Sequence, residues 1–347
     1  MTTKEKTLGV TRDRVRGMFL GKAIGDALFM PLETKTPEEI SLTHGRITSY
    51  IRPDGHKWFN GRDAGTWTDD TQLTLVVAES LIAQGGINLD DMALRHVESM
   101  RNEGDLGFGG STRDAIKKLT AGLSWSESGK NDKPGRGKGN GVAMKIGPVG
   151  AYRASPVWNT LWVENRSKAI EDIVRFTLMT HYTKIAVESA LAQVSAVNYC
   201  FQDSPGTFSI DTFVSCVAKM ADLMNYRSSA APEDSLPGRL LSLGKLDFDG
   251  LHAERIIGLF GGGTCYVLNS LPFSYAFFLR NPGSIEALYD VGNAGGDTDT
   301  NAAIVGELLG ALNGTSIFPQ HLIDGLWQRE RILNTADRFC DRFRIKD

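Results

Sequence analysis

The sequence predicts an all-α protein folded as one domain, and three observations carry that expectation. Apolar residues recur at helical spacing through most of the chain, no segment shows sustained two-residue alternation, and no repeat of fixed period is present. At 347 residues and 41% hydrophobic content the chain can bury a large core, and it sits at the upper end for a single domain.

Residues 1–11 are polar and read as a loose N-terminal extension, leaving 12–347 as the domain. A helix is expected from Arg12, with Val15, Met18, Phe19, Ala23 and Leu28 on its buried side and Pro31 as its stop. Gly17, Gly21 and Gly25 recur every four residues on one face of it. Each costs about 1 kcal/mol of helix propensity relative to Ala, so close approach of another backbone is the expected compensation. Asp26 falls inside this helix. Glu33 follows just past Pro31 and, taken alone, reads as a solvated surface group.

Residues 44–66 are rich in Gly and polar groups and read as an irregular connection. They lead to Trp67, Thr68, Asp69, Asp70 and Thr71, where a helix starts that stops near Gly85 and Gly86. A further helix is expected over 89–100. The Gly-rich segment 104–112 then feeds a short helix over 113–119; such a segment can bind anions, although it is more often a connector. After a polar loop at 120–138 come Gly139, Asn140, Gly141, Val142, Ala143, Met144 and Lys145. Lys138 is followed by Gly139 where a nucleotide-binding P-loop needs Ser or Thr, and the earlier Gly is missing, so that motif is rejected.

Helices are expected over 166–179 and 182–199, joined at Thr180 and His181, where a lone His reads first as a cap or packing group. Another is expected over 213–224. Residues 227–250, with Pro232, Pro237, Gly238 and Gly244, read as the longest loop. The apolar run 264–279 suits a buried helix with an irregularity at Pro272, and the last helix is expected from about Pro319 to the C-terminus.

Composition excludes several function classes. A net charge of -3 gives no electrostatic footprint for nucleic acid or an anionic membrane, so neither is expected as a partner. No apolar run reaches the length of a membrane span, and the N-terminus lacks a signal-peptide core. Cys200, Cys216, Cys265 and Cys340 are widely spaced with no CxxC, which suggests neither a zinc site nor a disulfide framework. A cytoplasmic protein is expected.

The chemistry concentrates in residues 295–300, Gly-Gly-Asp-Thr-Asp-Thr, ahead of an apolar-periodic run at 301–312. Glycines for a tight turn and an Asp or Thr for a cap account for a helix start. They do not account for a second carboxylate, since close carboxylates repel unless a cation or a shared proton relieves them. The same surplus recurs at Asp69 and Asp70. Two over-furnished caps remain one reading, with Thr298 as an ordinary capping residue; a shared site is the other. If the two helix starts meet, the ligands are hard oxygens with no His or Cys, which points to Mg²⁺, Mn²⁺ or Ca²⁺. Four carboxylates could hold two divalent ions about 3.5–4 Å apart.

These residues resemble the ADP-ribosylglycohydrolase family. The resemblance runs from about residue 12 to 313 and rests on Gly25-Asp26-Ala27 with Glu33, on WTDDT at 67–71, GNGVAMK at 139–145, Thr180-His181 and GGDTDT at 295–300. It implies a single-domain orthogonal helical bundle with a two-metal centre at helix N-termini. In that pattern Thr68, Asp69, Asp70, Asp297, Asp299 and Thr300 hold two Mg²⁺ or Mn²⁺ ions, and Glu33 is the acid beside them. Gly139, Asn140, Gly141 and Val142 look like the phosphate-contacting segment, Tyr266 like an aromatic that stacks on adenine, and His181 like a ligand contact. Asp105 is similar to an acid associated with arginine-linked substrates and could hold a guanidinium. The chain departs from the pattern at Cys265, where Gly is common, and at Lys145, where Arg is frequent.

The implied activity is hydrolysis of the N-glycosidic bond of ADP-ribosylated protein, most of all at arginine, with Glu33, Asp69 or Asp70 as general base and Asp105 at the substrate arginine. A second expectation, of a different class, is an immunity or inhibitor protein that covers a cognate ADP-ribosyltransferase, alone or in addition to hydrolysis. A third is a metal-dependent phosphohydrolase that cleaves the pyrophosphate.

Overall fold

Helix α1, Arg12–Phe29, is buried on nearly every side, which an amphipathic surface helix would not be. Its polar residues therefore need partners inside the protein, and those partners organise the fold. The computed structural model describes residues 9–224 and 235–347, the side chains of 159–166 and 224 aside. Most of the expected N-terminal extension, and residues 225–234 around the expected long loop, lie outside the described residues.

From α1 a 3-10 turn, Met30–Leu32, leads into α2 (Pro37–His44), whose start is a capping box between Thr36 and Glu39. After the irregular connection come α3 (Asp69–Gln84), closed by Gly85 in the left-handed conformation, then α4 (Leu89–Glu103), α5 (Gly110–Thr120) and the short α6 (Trp125–Ser128). Then follow α7 (Gly147–Ala154), α8 (Pro156–Leu178), α9 (Lys184–Gln202), α10 (Ile210–Ala221) and α11 (Leu236–Leu243). The chain ends with α12 (Ala253–Phe260), α13 (Val267–Arg280), α14 (Glu286–Asn293), α15 (Thr298–Asn313), α16 (Gln320–Asp324) and α17 (Arg329–Phe343). Among the described residues there is no strand, only one isolated antiparallel bridge between Gly139 and Tyr266. No described helix is long and apolar enough to cross a membrane.

The most extensive helix pair is α1 against α15, and the glycine ladder makes it possible. A Cβ on Gly17 would lie 2.7 Å from the Gly310 carbonyl oxygen; one on Gly21 would overlap the Gly306 backbone and one on Gly25 the Ala302 backbone. Gly306 and Gly310 meet α1 in return. The numbers rise along one helix as they fall along the other, so the pair is antiparallel. The C-terminal end of α1 thereby sits at the N-terminal end of α15. There the Thr298 hydroxyl donates to the Phe29 carbonyl at 2.8 Å. Thr298 is thus the first residue inside α15, tying it to α1, and Asp297 occupies the N-cap position where Thr298 is expected to cap.

Three expectations are corrected. The last helix is two, α16 and α17, because the chain turns at Gln328 in a left-handed conformation so that the Trp327 carbonyl can accept from the Trp67 indole at 2.8 Å. The run at 264–279 becomes helical only at Val267, since Asn140 N–H donates to the Cys265 carbonyl and Val267 N–H to that of Lys138. The expected loop at 227–250 contains α11, held by Leu236, Leu240 and Leu243 in the core. Five further helices, α2, α6, α7, α12 and α14, lie in stretches with no helix expected; each is eight residues long or shorter, too short for periodicity to mark.

Overpacking the α1–α15 contact has a defined cost. Gly21→Ala is expected to destabilise the protein by roughly 3 kcal/mol, because the new methyl would meet the Gly306 backbone, which cannot yield, as well as the Phe318 ring. The control Gly206→Ala, which meets nothing within 4 Å, should change stability by less than about 0.5 kcal/mol. Denaturant midpoints measure both; equal midpoints for the two variants would refute the ladder's role.

Candidate active site

Two helix N-termini from opposite ends of the chain, those of α3 and α15, open on one cleft of about 880 Å³, in the range of small-molecule sites. Its floor carries Glu33, Asp69, Asp297, Asp299 and Thr300; Asp105 and Arg113 border one side, and Gly139, Asn140, Gly141, His181 and Tyr266 another.

The α3 end is held by a residue the sequence reading left without a role. Asp26, fully buried on α1, accepts from the Thr68 N–H at 2.9 Å and hydroxyl at 2.7 Å, and from the Thr71 N–H at 3.0 Å and hydroxyl at 2.6 Å. Thr68 makes no side-chain cap bond of its own, so Asp26 caps α3 from another helix. This leaves Asp69 and Asp70 free of that duty. The Asp69 N–H donates to the Leu106 carbonyl at 3.1 Å, which locks the segment 105–108 beside it. An Asp inside an apolar helix, one residue after a glycine ladder, was the signal available for Asp26.

The α15 end is shaped by Gly295 and Gly296, at φ 77° and 86°, with Thr34 and Lys35 bonded to Gly296 at 2.8 Å and 2.9 Å. Thr34 itself adopts φ 71°, an uncommon conformation for a β-branched residue, and those bonds hold it there. Glu33 is thereby turned inward: Glu33, Asp297 and Asp299 each place an oxygen within 4.8 Å of the others. The two ends join where the Thr300 hydroxyl donates to Asp70 Oδ2 at 3.0 Å.

The electrostatics follow from burial and crowding. Burial, then Asp297 and Asp26, push the Glu33 carboxyl up to about 7. Asp69, Asp70 and Asp299 are pushed well above the carboxylate range by burial first and by neighbouring carboxylates next. Asp297 is raised by burial and pulled back by Asn140, whose amide donates to its Oδ2 at 2.6 Å. Asp70 Oδ1 is buried with no hydrogen-bond partner. An all-oxygen donor set with an orphaned carboxylate oxygen, among acids that raise one another, fits a hard divalent cation.

The expected residues do not all share one surface. Glu33, Asp69, Asp297, Asp299 and Thr300 border the cleft, while Thr68 and Asp70 lie behind it, each 1% exposed. Gly139, Asn140 and Gly141 also line the cleft, next to Asp297 through Asn140, but the Val142 side chain faces the core. Tyr266 stands at the mouth, 38% exposed, tied to Gly139 by the isolated bridge. His181 lies against Gly141: a Cβ there would come within 2.9 Å of its Nε2. Asp105 borders the cleft with its carboxylate engaged. Oδ1 accepts from the Gly107 and Phe108 N–H groups at 3.0 Å and 2.7 Å, and Oδ2 meets Arg113 Nε at 2.6 Å, which holds the acid below the usual carboxylate range against the opposing effect of burial. Sequence reasoning also passed over Thr112, whose buried hydroxyl lacks a partner and lines the cleft near Gly141.

The family model described as ADP-ribosylglycohydrolase matches residues 8–347. The ADP-ribosylarginine hydrolase Tri1 of Serratia proteamaculans is 24% identical, over 94% of this chain and 78% of its own. Human ADP-ribosylhydrolase ARH3 is 24% identical, over 88% of this chain and 87% of its own. A solved structure titled "ADP-ribosylglycohydrolase-related protein complex" superposes with a TM-score of 0.66 at 23% identity, covering 97% of this chain and 99% of that one, and so shares its fold.

The raised carboxyls make stability and cation binding depend on pH in a stated direction. Without a cation, Glu33 in the fold keeps its proton up to about 7, whereas its ordinary value is 4.5. The folded state therefore binds more protons across that window, and this contribution to stability falls as pH rises from 4.5 to about 7. The melting temperature of the cation-free protein, relative to that of Glu33→Gln, should fall across the window. Added Mg²⁺ or Mn²⁺ should raise it more above the window than below; a pH-independent difference would contradict this. Separately, Asp26→Asn places an amide against two donor pairs and should cost about 2–4 kcal/mol by denaturation, with loss of cation binding although Asp26 does not border the cleft. Unchanged cation affinity in that variant would refute the role of the cap.

Proposed function

The chain belongs to the ADP-ribosylglycohydrolase family, and within it we propose a metal-dependent hydrolase that releases ADP-ribose from modified protein, with arginine as the linked residue. The observation that carries the reading is the cleft itself. An acidic, cation-compatible floor and an adjoining glycine-rich wall line a space large enough for a nucleotide.

Asp69, Asp70, Asp297, Asp299 and Thr300, with Thr68 behind them and Glu33 beside them, are the proposed holders of two divalent cations, Mg²⁺ or Mn²⁺. When bound, such ions supply Lewis-acid charge that fixes ribose hydroxyls and lowers the cost of activating water. The chain's own groups do the rest. The backbone of Gly139 and Gly141, held in place by the Asn140 N–H bond to the Cys265 carbonyl beside Tyr266, suits a diphosphate with its base at the mouth. In the reaction the ribose C–N bond breaks with its electron pair leaving on the arginine guanidine, a C–O bond to water forms, and the water proton passes to a carboxylate and on to the departing guanidine as positive charge develops at the anomeric carbon. Glu33 and Asp69 are the two candidate bases that border the cleft, with Asp70 behind them.

Arginine linkage is supported at Asp105. That carboxylate already holds a guanidinium, the chain's own Arg113, whose side chain is 42% exposed and able to give way to a substrate. The name of the Serratia relative states the same linkage. The cytoplasm is the proposed compartment, and all four cysteines are free, as a reducing environment favours.

A panel of arginine-linked and serine-linked ADP-ribosylated proteins, with released ADP-ribose read by mass spectrometry, tests the reading. Wild type with Mg²⁺ or Mn²⁺ should act on the arginine linkage, and Asp297→Asn should lose at least about a hundredfold in kcat/KM. Asp105→Asn should lose about tenfold or more on the arginine substrate and less on serine. Release of AMP, or preference for serine with Asp105→Asn unaffected, would overturn it.

A further inference from the structure

Lys145 is fully buried in the turn that follows the glycine-rich wall, and no carboxylate is within ion-pair distance of its ammonium among the described residues. Its contacts are acceptors instead. Nζ lies 3.3 Å from His96 Nε2 and 3.3 Å from the Thr180 hydroxyl, and 5.7 Å over the Phe176 ring. The Thr180 hydroxyl is in turn 2.9 Å from His181 Nδ1, and His96 Nδ1 is 2.7 Å from the Met92 carbonyl.

The directions of these bonds follow from what each group can do. A carbonyl only accepts, so His96 carries its proton on Nδ1 and offers the Nε2 lone pair to Lys145. An ammonium only donates, so Thr180 accepts from it, and the Thr180 proton is left to point at His181 Nδ1. His181 then holds its own proton on Nε2. That nitrogen is the one beside Gly141 on the cleft wall, where the unpartnered Thr112 hydroxyl also lies. Burial, and Lys145 after it, push the His181 imidazole down to about 3, so it is neutral and its tautomer decides whether it donates or accepts. Burial lowers Lys145 to about 7, while Asp69 pulls it upward.

We propose that Lys145, as an ammonium, is a positioning residue that acts through Thr180 to fix His181 as the Nε2–H tautomer, aiming a hydrogen-bond donor at an acceptor oxygen of the nucleotide bound against Gly141. This rests on the reading of the cleft as an ADP-ribose site. It gives a reason for a lysine buried without a counter-ion: a charge that can only donate sets the polarity of the whole chain of bonds from α4 to the cleft.

The test reads the tautomer directly. In the full chain with Mg²⁺ and ¹⁵N-labelled histidine at about pH 6, the His181 nitrogens should show a protonated Nε2 and an unprotonated Nδ1, assigned by loss of signal in His181→Gln. Lys145→Met should mix the two tautomers and weaken ADP-ribose binding by about tenfold, the worth of one charge-assisted bond. Thr180→Val, nearly isosteric, should do the same, and Thr180→Ser should restore the wild-type spectrum. An unprotonated Nε2 in the wild type, or a spectrum unchanged in Thr180→Val, would overturn the proposal even if Lys145→Met does not fold. A wild type that shows the Nε2–H form but binds no ADP-ribose would support the relay and overturn the nucleotide reading of the cleft.

Discussion

The backbone contact between α1 and α15 is the constraint on which the site depends. Glycines on both helices let them approach without intervening side chains, and the antiparallel pairing leaves no choice about which ends meet. Asp26 on α1 and Asp297, Asp299 and Thr300 around the start of α15 are brought to one place by that pairing. A separation wider by one side chain would pull α3, held by Asp26, away from α15. The bond between Thr300 and Asp70 closes the arrangement only because both helices are referred to α1.

Around this frame the polar interior is arranged in separate chains of contact. Lys22 on α1 donates to the Met144 carbonyl at 2.6 Å and lies 3.5 Å from Glu307 on α15, which Gln193 and Tyr275 support from behind. The positive charge of Lys22 also opposes the rise of the Asp70 carboxyl. A buried cation near an acidic floor limits the repulsion there without occupying it, so the floor retains its demand for an external charge.

Much of this was legible in the chain of letters, for reasons that differ by residue. The surplus carboxylates at 69–70 and 297–299 stood out because a helix start needs only one, and the glycine spacing at 17, 21 and 25 announced a close backbone contact before its partner was known. What could not be read were consequences of tertiary placement. Asp26 looks like any helical Asp until Thr68 and Thr71 are brought to it. The engagement of Asp105 by Arg113 depends on where α5 begins, and Thr298 bonds to Phe29, a residue 269 positions away. The last helix reads as one element in the sequence and is two in the structure because Trp327 turns out of it to meet Trp67, which no local pattern encodes. Helices of eight residues carry too few periods to register.

The joining of Thr300 to Asp70 spans 230 residues, and the cap from Asp26 reaches α3 across 42. The acidic floor therefore exists only where contacts across both separations are closed, so the unfolded chain offers no such site. A cation held there would stabilise the folded state by mass action, to a degree set by its concentration.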